Sequence, residues 1–185
     1  KEKIINLLKE GGVGVIPTDT IYGLVGSALL PGAVERIYRM RSRDTRKPMI
    51  VLIGFLKDLA LFKVKLSNQE KKIIAKLWPG KVSIILNCPH PEFEYLHRGT
   101  NTLAFRLPEK RDLVSLIKKT GPLVAPSANP EGQPPACTID EARNYFGEKA
   151  DFYLNEGQIE GLPSTLVAFK DGRLVTKRPG AVVIE

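Results

Sequence analysis

The chain has 185 residues, of which 43% are hydrophobic and 26% charged, a balance typical of one soluble domain with a sizeable core. Its 28 Lys and Arg outnumber 20 Asp and Glu, and the resulting charge of +8 favours polyanionic partners such as nucleotides or nucleic acid. No apolar run approaches the roughly 18 residues of a membrane span, and the N-terminus is typical of neither a signal nor a transit peptide. The two cysteines, Cys88 and Cys137, lie outside any CxxC pattern, so the composition predicts no membrane association and a reducing, cytoplasmic setting.

The first half of the chain alternates helical and strand patterns. Residues 4–10 predict a helix that ends at two glycines, and residues 13–17 predict a short buried strand. A proline opens a helix predicted to run from Pro31 to about Arg43, and the apolar run 49–53 predicts the next strand.

The second half continues this alternation and adds local signals. The stretches "SNQE" (67–70) and "TIDE" (138–141) are capping boxes that each open a helix. Strands are predicted over "KVSIIL", "TLAFRL" and "LVA", with a helix near 109–119, and the Asp171-Gly172 pair predicts a hairpin at the end of the chain. With no internal repeat and no linker, the pattern predicts one α/β domain with a mixed sheet.

Polar residues follow the first predicted strand in "PTDTIYGL" (17–24). Thr18, Asp19, Thr20 and Tyr22 are expected to project beyond the strand end, where α/β sheets bind ligands. The alternative is a turn in which Thr and Asp cap a helix. Further along, residues 36–47 carry six basic residues and one acid, and arginine suits phosphate better than lysine does.

Two other stretches indicate a site for an anion. Arg106 lies in an otherwise apolar strand, where it is expected either to face a cleft and bind an anion or to pair with a buried acid. In "GPLVAPSANPEGQPP" (121–135), four prolines stiffen the chain after a strand and place Ser127 and Asn129 in a rigid loop. The sequence therefore predicts a preformed binding loop.

Several other kinds of site are not indicated. The segment "GGVGVIP" places proline where a dinucleotide fingerprint needs glycine, and "WPGKVS" lacks the first glycine of a phosphate-binding P-loop. Cys88, His90 and His97 do not have the spacing of metal ligands, so no protein-held metal is predicted. The spacing supports no Ser-His-Asp arrangement.

In this order, "PTDTIYGL", "KPMIVLI", "LWPGKVSIIL", "LAFRLP", "GPLVAPSAN", "STLV" and "RPG" resemble the YrdC-like family of threonylcarbamoyl-AMP synthases. The resemblance covers about residues 5–180 and implies a single YrdC-like domain over residues 1–185, the short form without the second domain of longer relatives. It also implies a twisted mixed β-sheet flanked by helices, with a basic concave face.

The resemblance implies formation of threonylcarbamoyl-AMP and pyrophosphate from L-threonine, bicarbonate and ATP, for the N6-threonylcarbamoyladenosine modification of tRNA. Arg41 and Arg43 would be catalytic. The implied threonine-binding residues are Thr20, Arg106, Ala125 and Ser164. The implied ATP-binding residues are Arg43, Lys47, Thr102, Ser127, Asn129, Pro135 and Arg178, with Pro135 acting through its backbone.

The resemblance further implies Mg²⁺ carried by ATP, downstream proteins that transfer the threonylcarbamoyl group, and tRNA as a further partner. Two positions depart from the family pattern: Arg41 replaces the usual lysine, and Glu131 replaces the serine after "SAN" and one intervening residue. Two alternatives stay open, a non-catalytic RNA-binding protein that uses the basic face and a relative that forms carbamoyl-adenylate.

Overall fold

The computed structural model describes residues 2–184; the predicted domain also includes Lys1 and Glu185, which lie outside the described residues. The α-helices of this part are α1 (Glu2–Lys9), α2 (Pro31–Arg41), α3 (Asn68–Leu77), α4 (Glu94–His97), α5 (Arg111–Thr120) and α6 (Ile139–Phe146). Short 3₁₀ turns cover Leu56–Phe62, Pro91–Phe93 and Gly147–Lys149.

The strands of residues 2–184 form one mixed sheet in the order β7-β1-β2-β6-β3-β5-β4-β8-β9. They are β1 (Gly14–Pro17), β2 (Tyr22–Ser27), β3 (Val51–Leu52), β4 (Val82–Asn87), β5 (Thr102–Arg106), β6 (Leu123–Val124), β7 (Phe152–Tyr153), β8 (Thr165–Lys170) and β9 (Arg173–Arg178). The pairs β1–β7, β3–β5 and β4–β8 are parallel, and the remaining neighbours are antiparallel. The predicted fold class, an α/β domain with a mixed sheet, is confirmed.

Two buried clusters cover the two faces of the sheet. Consecutive residues of a strand point to opposite faces, so Val15 and Ile16 belong to different clusters. The smaller cluster packs α1 and α5 on the sheet through Leu8, Leu113 and Ile117. The larger cluster contains residues of α2, α3 and α6. Helices therefore flank both faces, and each fully buried Leu or Ile contributes about 1.5–3 kcal/mol.

The local signals identify their elements correctly. Ser67 and Thr138 cap α3 and α6, each with the reciprocal glutamate bond of a capping box. Asp171 and Gly172 form the turn between β8 and β9 with φ of +50° and +74°, values that favour this residue pair.

Several predicted details differ from the structure, and strand β7 was also not predicted. Residues Tyr22–Ser27 form strand β2, which the glycine-containing pattern did not predict, and the predicted strand 49–53 has ladder pairing only over Val51–Leu52. Helix α2 ends at Arg41 rather than Arg43, because Ser42 adopts a left-handed conformation that stops the helix. Tyr22 does not project toward a ligand, since its side chain is fully buried and its hydroxyl donates to the Gly157 carbonyl at 2.7 Å.

Across residues 2–184, no helix combines the length and the apolar character needed to cross a membrane.

Candidate active site

A cavity of about 370 Å³ lies where the β1–β2 turn, the end of α2, the segment after β6 and the start of β8 meet. Nine of the twelve residues predicted for the site line it. They are Thr20, Arg41, Arg43, Thr102, Arg106, Ala125, Ser127, Ser164 and Arg178. Residues more than 150 positions apart in the chain are thus brought to one surface by the sheet order.

The other three predicted residues lie outside the cavity lining. Lys47 is exposed, directly precedes the lining residue Pro48 in the chain, and pairs with Glu131. Asn129 is buried beneath the loop, where its Nδ2 donates to the carbonyls of Pro130 and Gln133 at 2.9 and 2.8 Å. Pro135 is exposed at the end of the same loop. The amide of Asn129 therefore shapes the loop.

The β1–β2 connection is a tight turn held by Thr18. Its Oγ1 donates to the Ile21 carbonyl at 2.6 Å and accepts from the Thr20 amide at 3.1 Å. A threonine hydroxyl in this position replaces a backbone turn bond. It also lies 3.0 Å from Thr20 Oγ1, so the predicted ligand residue Thr20 is held in place by its neighbour.

The buried lining residues Arg106, Thr20 and Ser164 define the inner end of the cavity. Arg106 Nη1 pairs with Asp19 Oδ1, and the two side chains are 5% and 3% exposed. The other oxygen of Asp19 accepts the Glu109 amide at 3.2 Å. Of the two readings of Arg106, the pairing with a buried acid is present, and the same guanidinium also lines the cavity. Its Nε is buried without a partner in the described residues.

Ser164 lies at the start of β8 and is fixed from two sides. Its hydroxyl oxygen lies 2.7 Å from Ser83 Oγ in the neighbouring strand β4, and both serines are buried. Its carbonyl accepts Arg178 Nη2 at 2.8 Å, which draws the end of β9 over the cavity. A Cβ at Gly180 would lie 2.3 Å from the Pro163 carbonyl oxygen, so this close approach requires glycine.

Arg41 joins the end of α2 to the proline-containing loop. It is 4% exposed, and its Nε and Nη2 donate to the Asn129 carbonyl and to Ser127 Oγ at 2.8 and 3.3 Å. Its Nη1 is buried without a partner among the described residues. Burial, together with the positive charge of Arg43, lowers the pKa of Arg41 to about 10. Arg41 therefore does not lie on the outer face of its helix.

The Ser127 segment is also tied to the sheet. Its neighbours bond to β2: the Leu24 amide donates to the Pro126 carbonyl and the Ala128 amide donates to the Tyr22 carbonyl, each at 2.9 Å. Arg43 shapes the facing loop by donating to the carbonyls of Lys47 and Pro48 at 3.1 and 2.9 Å. Both loops are therefore ordered by bonds made without a ligand.

The cavity has a strongly positive lining. Among the described lining residues are four arginines, at positions 41, 43, 106 and 178, and no acid. Asp19 partly neutralises Arg106 from outside the lining. Fixed cations in a concave site attract anions and replace part of their hydration. The cavity is thus suited to a ligand with several negative groups.

The described residues provide no group of three His, Cys, Asp or Glu side chains that could hold a metal ion. Cys88 contacts the Phe62 carbonyl, and His97 bonds to the His90 carbonyl and the Gly99 amide.

Sequence reasoning missed two residues that support the site. Ser83 fixes Ser164 from behind, and its signal is a serine within the apolar run "KVSIIL". Pro163 lines the cavity immediately before the predicted "STLV" segment.

The chain is similar to known proteins over most of its length. Residues 6–180 match the Sua5_yciO_yrdC family, described as "Telomere recombination", and the chain belongs to this family. It is 29% identical to the threonylcarbamoyl-AMP synthase of Pyrococcus abyssi, over 96% of this chain and 53% of that protein. It is 32% identical to the synthase of Hahella chejuensis, over 87% of this chain and 88% of that protein. Relative to the P. abyssi protein and a similar synthase of Bacillus subtilis, the chain spans about half the length.

Solved structures show the same fold. The crystal structure of P. abyssi Sua5 complexed with L-threonine superposes with a TM-score of 0.88 at 29% identity, covering 96% of this chain and 53% of that one. E. coli YciO gives a TM-score of 0.84 at 22% identity, covering 96% and 87%.

Proposed function

We propose that this chain forms threonylcarbamoyl-AMP and pyrophosphate from L-threonine, bicarbonate and ATP, a nucleotidyl transfer that serves the N6-threonylcarbamoyladenosine modification of tRNA. The observation that carries the proposal is the acid-free cavity lined by four arginines and several hydroxyls. The names of the relatives support it, because several are threonylcarbamoyl-AMP synthases.

Threonine is proposed to bind at the inner end of the cavity. The related P. abyssi protein has been solved with L-threonine, and this chain shares its fold. Arg106 offers a guanidinium for the carboxylate, and the hydroxyls of Thr20 and Ser164 lie on the same wall, with Ala125 as an apolar contact. Because Asp19 and Ser83 already hold Arg106 and Ser164, little side-chain ordering is needed on binding.

ATP is proposed to bind toward the outer end. There the less buried residues Arg43, Thr102, Ser127 and Arg178 line the cavity, and Lys47 directly precedes the lining residue Pro48 in the chain. The roles of Asn129 and Pro135 are proposed to be backbone contacts, because the Asn129 amide bonds within the loop. Mg²⁺ would arrive on the triphosphate, held mostly by phosphate oxygens and water.

The proposed chemistry needs no nucleophile from the protein. The threonine amine attacks the bicarbonate carbon, water leaves, and the resulting carbamate carries a negative oxygen. That oxygen attacks the α-phosphorus of ATP, and pyrophosphate leaves as the new O–P bond forms. Three anionic groups must meet in this step, so Arg41 and Arg43 are proposed to stabilise the charge on the phosphates. Catalysis then rests on positioning and on charge neutralisation.

Pyrophosphate release by the purified chain tests the proposal. Release should require ATP, Mg²⁺, L-threonine and bicarbonate together, and the adenylate should be detected by mass spectrometry. Release that does not depend on threonine, or no release despite tRNA binding, would favour the RNA-binding alternative. Release that requires a carbamoyl donor in place of threonine would favour the carbamoyl-adenylate alternative.

The wider setting is also a proposal. The labile adenylate would pass to threonylcarbamoyl-transfer proteins and then to tRNA, in a cytoplasmic environment. Both cysteines are free thiols in the structure, which fits a reducing compartment.

A further inference from the structure

Glu131 joins the two loops that carry the proposed ATP-binding residues. Its Oε1 lies 2.5 Å from Lys47 Nζ, and its Oε2 accepts the Asp44 amide at 2.6 Å. Its own amide donates to the Arg41 carbonyl at 2.7 Å. The carboxylate of Glu131 thus forms an ion pair with Lys47, which the proposed function assigns to ATP binding.

Two residues after Asn129, Glu131 places a negative group on Lys47, and Lys47 directly precedes the cavity-lining residue Pro48 in the chain.

We infer that Glu131 is an internal competitor of the nucleotide's phosphates for Lys47, and that it sets the affinity of this chain for ATP and pyrophosphate. The inference rests on the proposed function, because it takes Lys47 as a phosphate-binding residue.

The contacts allow such an exchange. The side chains of Lys47 and Glu131 are 57% and 30% exposed, so the pair is partly solvated and weak enough to be displaced by a more highly charged phosphate group. The bond between the Glu131 amide and the Arg41 carbonyl belongs to the backbone. The carboxylate can therefore turn away while the loop keeps its path.

The test is the substitution Glu131→Gln, which keeps the side-chain shape and an oxygen for the Asp44 amide but removes the charge. Calorimetry with Mg²⁺–ATP and with inorganic pyrophosphate should show roughly two- to fivefold tighter binding to this variant. Adenosine, which has no phosphate, should bind both proteins equally. The matched control is Glu92→Gln, because Glu92 also pairs with a lysine, Lys63, in an exposed position outside the cavity lining. This control should leave nucleotide binding unchanged.

A second background identifies the cation. In a Lys47→Ala protein, Glu131→Gln should no longer tighten ATP binding appreciably, because the two groups that compete for Lys47 have lost it. A gain of the same size in both backgrounds would overturn the inference, since it would show only a general field effect.

The two proposals fail in different ways. Equal or weaker ATP binding by Glu131→Gln, with wild-type binding measurable, would overturn this inference and leave the proposed function standing. Wild-type protein that binds neither ATP nor pyrophosphate would overturn the proposed function and the inference with it. If the variant bound pyrophosphate more tightly but the wild type made no adenylate, the competition would be supported and the proposed reaction would be overturned.

Discussion

The inner and outer ends of the cavity hold their cations in opposite ways. At the inner end, Arg106 is paired with Asp19 and both side chains are almost fully buried. Outside the lining, directly before the lining residue Pro48 in the chain, the side chain of Lys47 is more than half exposed and its partner Glu131 is partly exposed. Breaking a buried pair leaves an uncompensated buried charge and is costly, whereas exposed pairs contribute little and exchange readily. The inner end is therefore built for fixed geometry and the outer end for replaceable contacts.

The largest expected effect comes from breaking the inner pair. Arg106→Ala leaves the Asp19 carboxylate buried and unpaired, which is expected to cost about 3–5 kcal/mol in the free energy of unfolding. Threonine binding should also fall roughly ten- to a hundredfold, while ATP binding stays nearly unchanged. Denaturant unfolding and calorimetry measure the two effects.

A double variant separates stability from binding. Asp19→Asn combined with Arg106→Gln replaces the ion pair by two amides and should recover much of the stability without restoring threonine affinity. If threonine bound normally to the double variant, Arg106 would be a structural residue only.

Arg41 provides the next test, because it spans from the buried loop to the cavity. Arg41→Ala removes the bonds to Ser127 and to the Asn129 carbonyl as well as a cation near the phosphates. The transition state should lose about 2.7–4 kcal/mol of stabilisation, which lowers turnover a hundred- to thousandfold. Arg41→Lys keeps the positive charge and should keep most of the activity if charge alone matters. If Arg41→Lys lowered turnover as much as Arg41→Ala, the role of Arg41 would instead be to hold the loop. Steady-state pyrophosphate assays of the two variants measure this difference.

A smaller effect is expected behind the threonine wall. Ser83→Ala removes the partner of the Ser164 hydroxyl in a fully buried position. The loss should be about 1 kcal/mol in threonine binding, roughly fivefold, with ATP binding unchanged. An equal weakening of both ligands would show that the serine pair supports the fold and not the threonine site.

The sequence predicts the local parts of this arrangement well. Ser67 and Thr138 correctly predict where α3 and α6 begin, because capping depends on residues within one turn. The strand β2 escaped prediction because its buried residues include two glycines and show no alternation with polar ones. Arg106 could be assigned to a cleft or to an ion pair, but the choice of Asp19 could not, because the two residues meet only through the sheet order.

The nucleotide end shows the same limit. The position of Glu131 in the proline-containing loop could be read, whereas its contact with Lys47 joins residues 84 positions apart. Contacts of that range depend on the tertiary fold and have no local signature.

Salt should separate the two ends further. Screening shortens the reach of exposed charges from about 10 Å at 0.1 M to about 3 Å at 1 M salt and affects buried pairs much less. ATP affinity should therefore fall over this range by a larger factor than threonine affinity. Calorimetry at both concentrations measures the ratio, and equal losses would contradict the distinction between a buried and an exposed end.

The smallest effect is expected from pH near neutrality, where the competition between Glu131 and the phosphates should not change. The hydrogen bond from Lys47 lowers the pKa of Glu131 below its ordinary value of 4.5, so the pair forms above that value and is lost only as pH falls through the lower folded pKa. The ratio of ATP affinities between Glu131→Gln and the wild type should therefore stay constant from pH 6 to pH 8. A ratio that changes over this interval would indicate that another titrating group controls Lys47.

The ends of the sheet have a consequence for solubility. Within residues 2–184, strand β9 lies at one edge of the sheet and β7 at the other, so each has a neighbouring strand on one side only, and an edge of this kind can pair with a second chain. Strand β7 has only two residues and offers little template. Strand β9 is longer, but Arg173, Lys177 and Arg178 are exposed along it, and their like charges repel another copy of the same edge. The positive charges of β9 therefore disfavour edge-to-edge aggregation. One of these residues, Arg178, also lines the cavity.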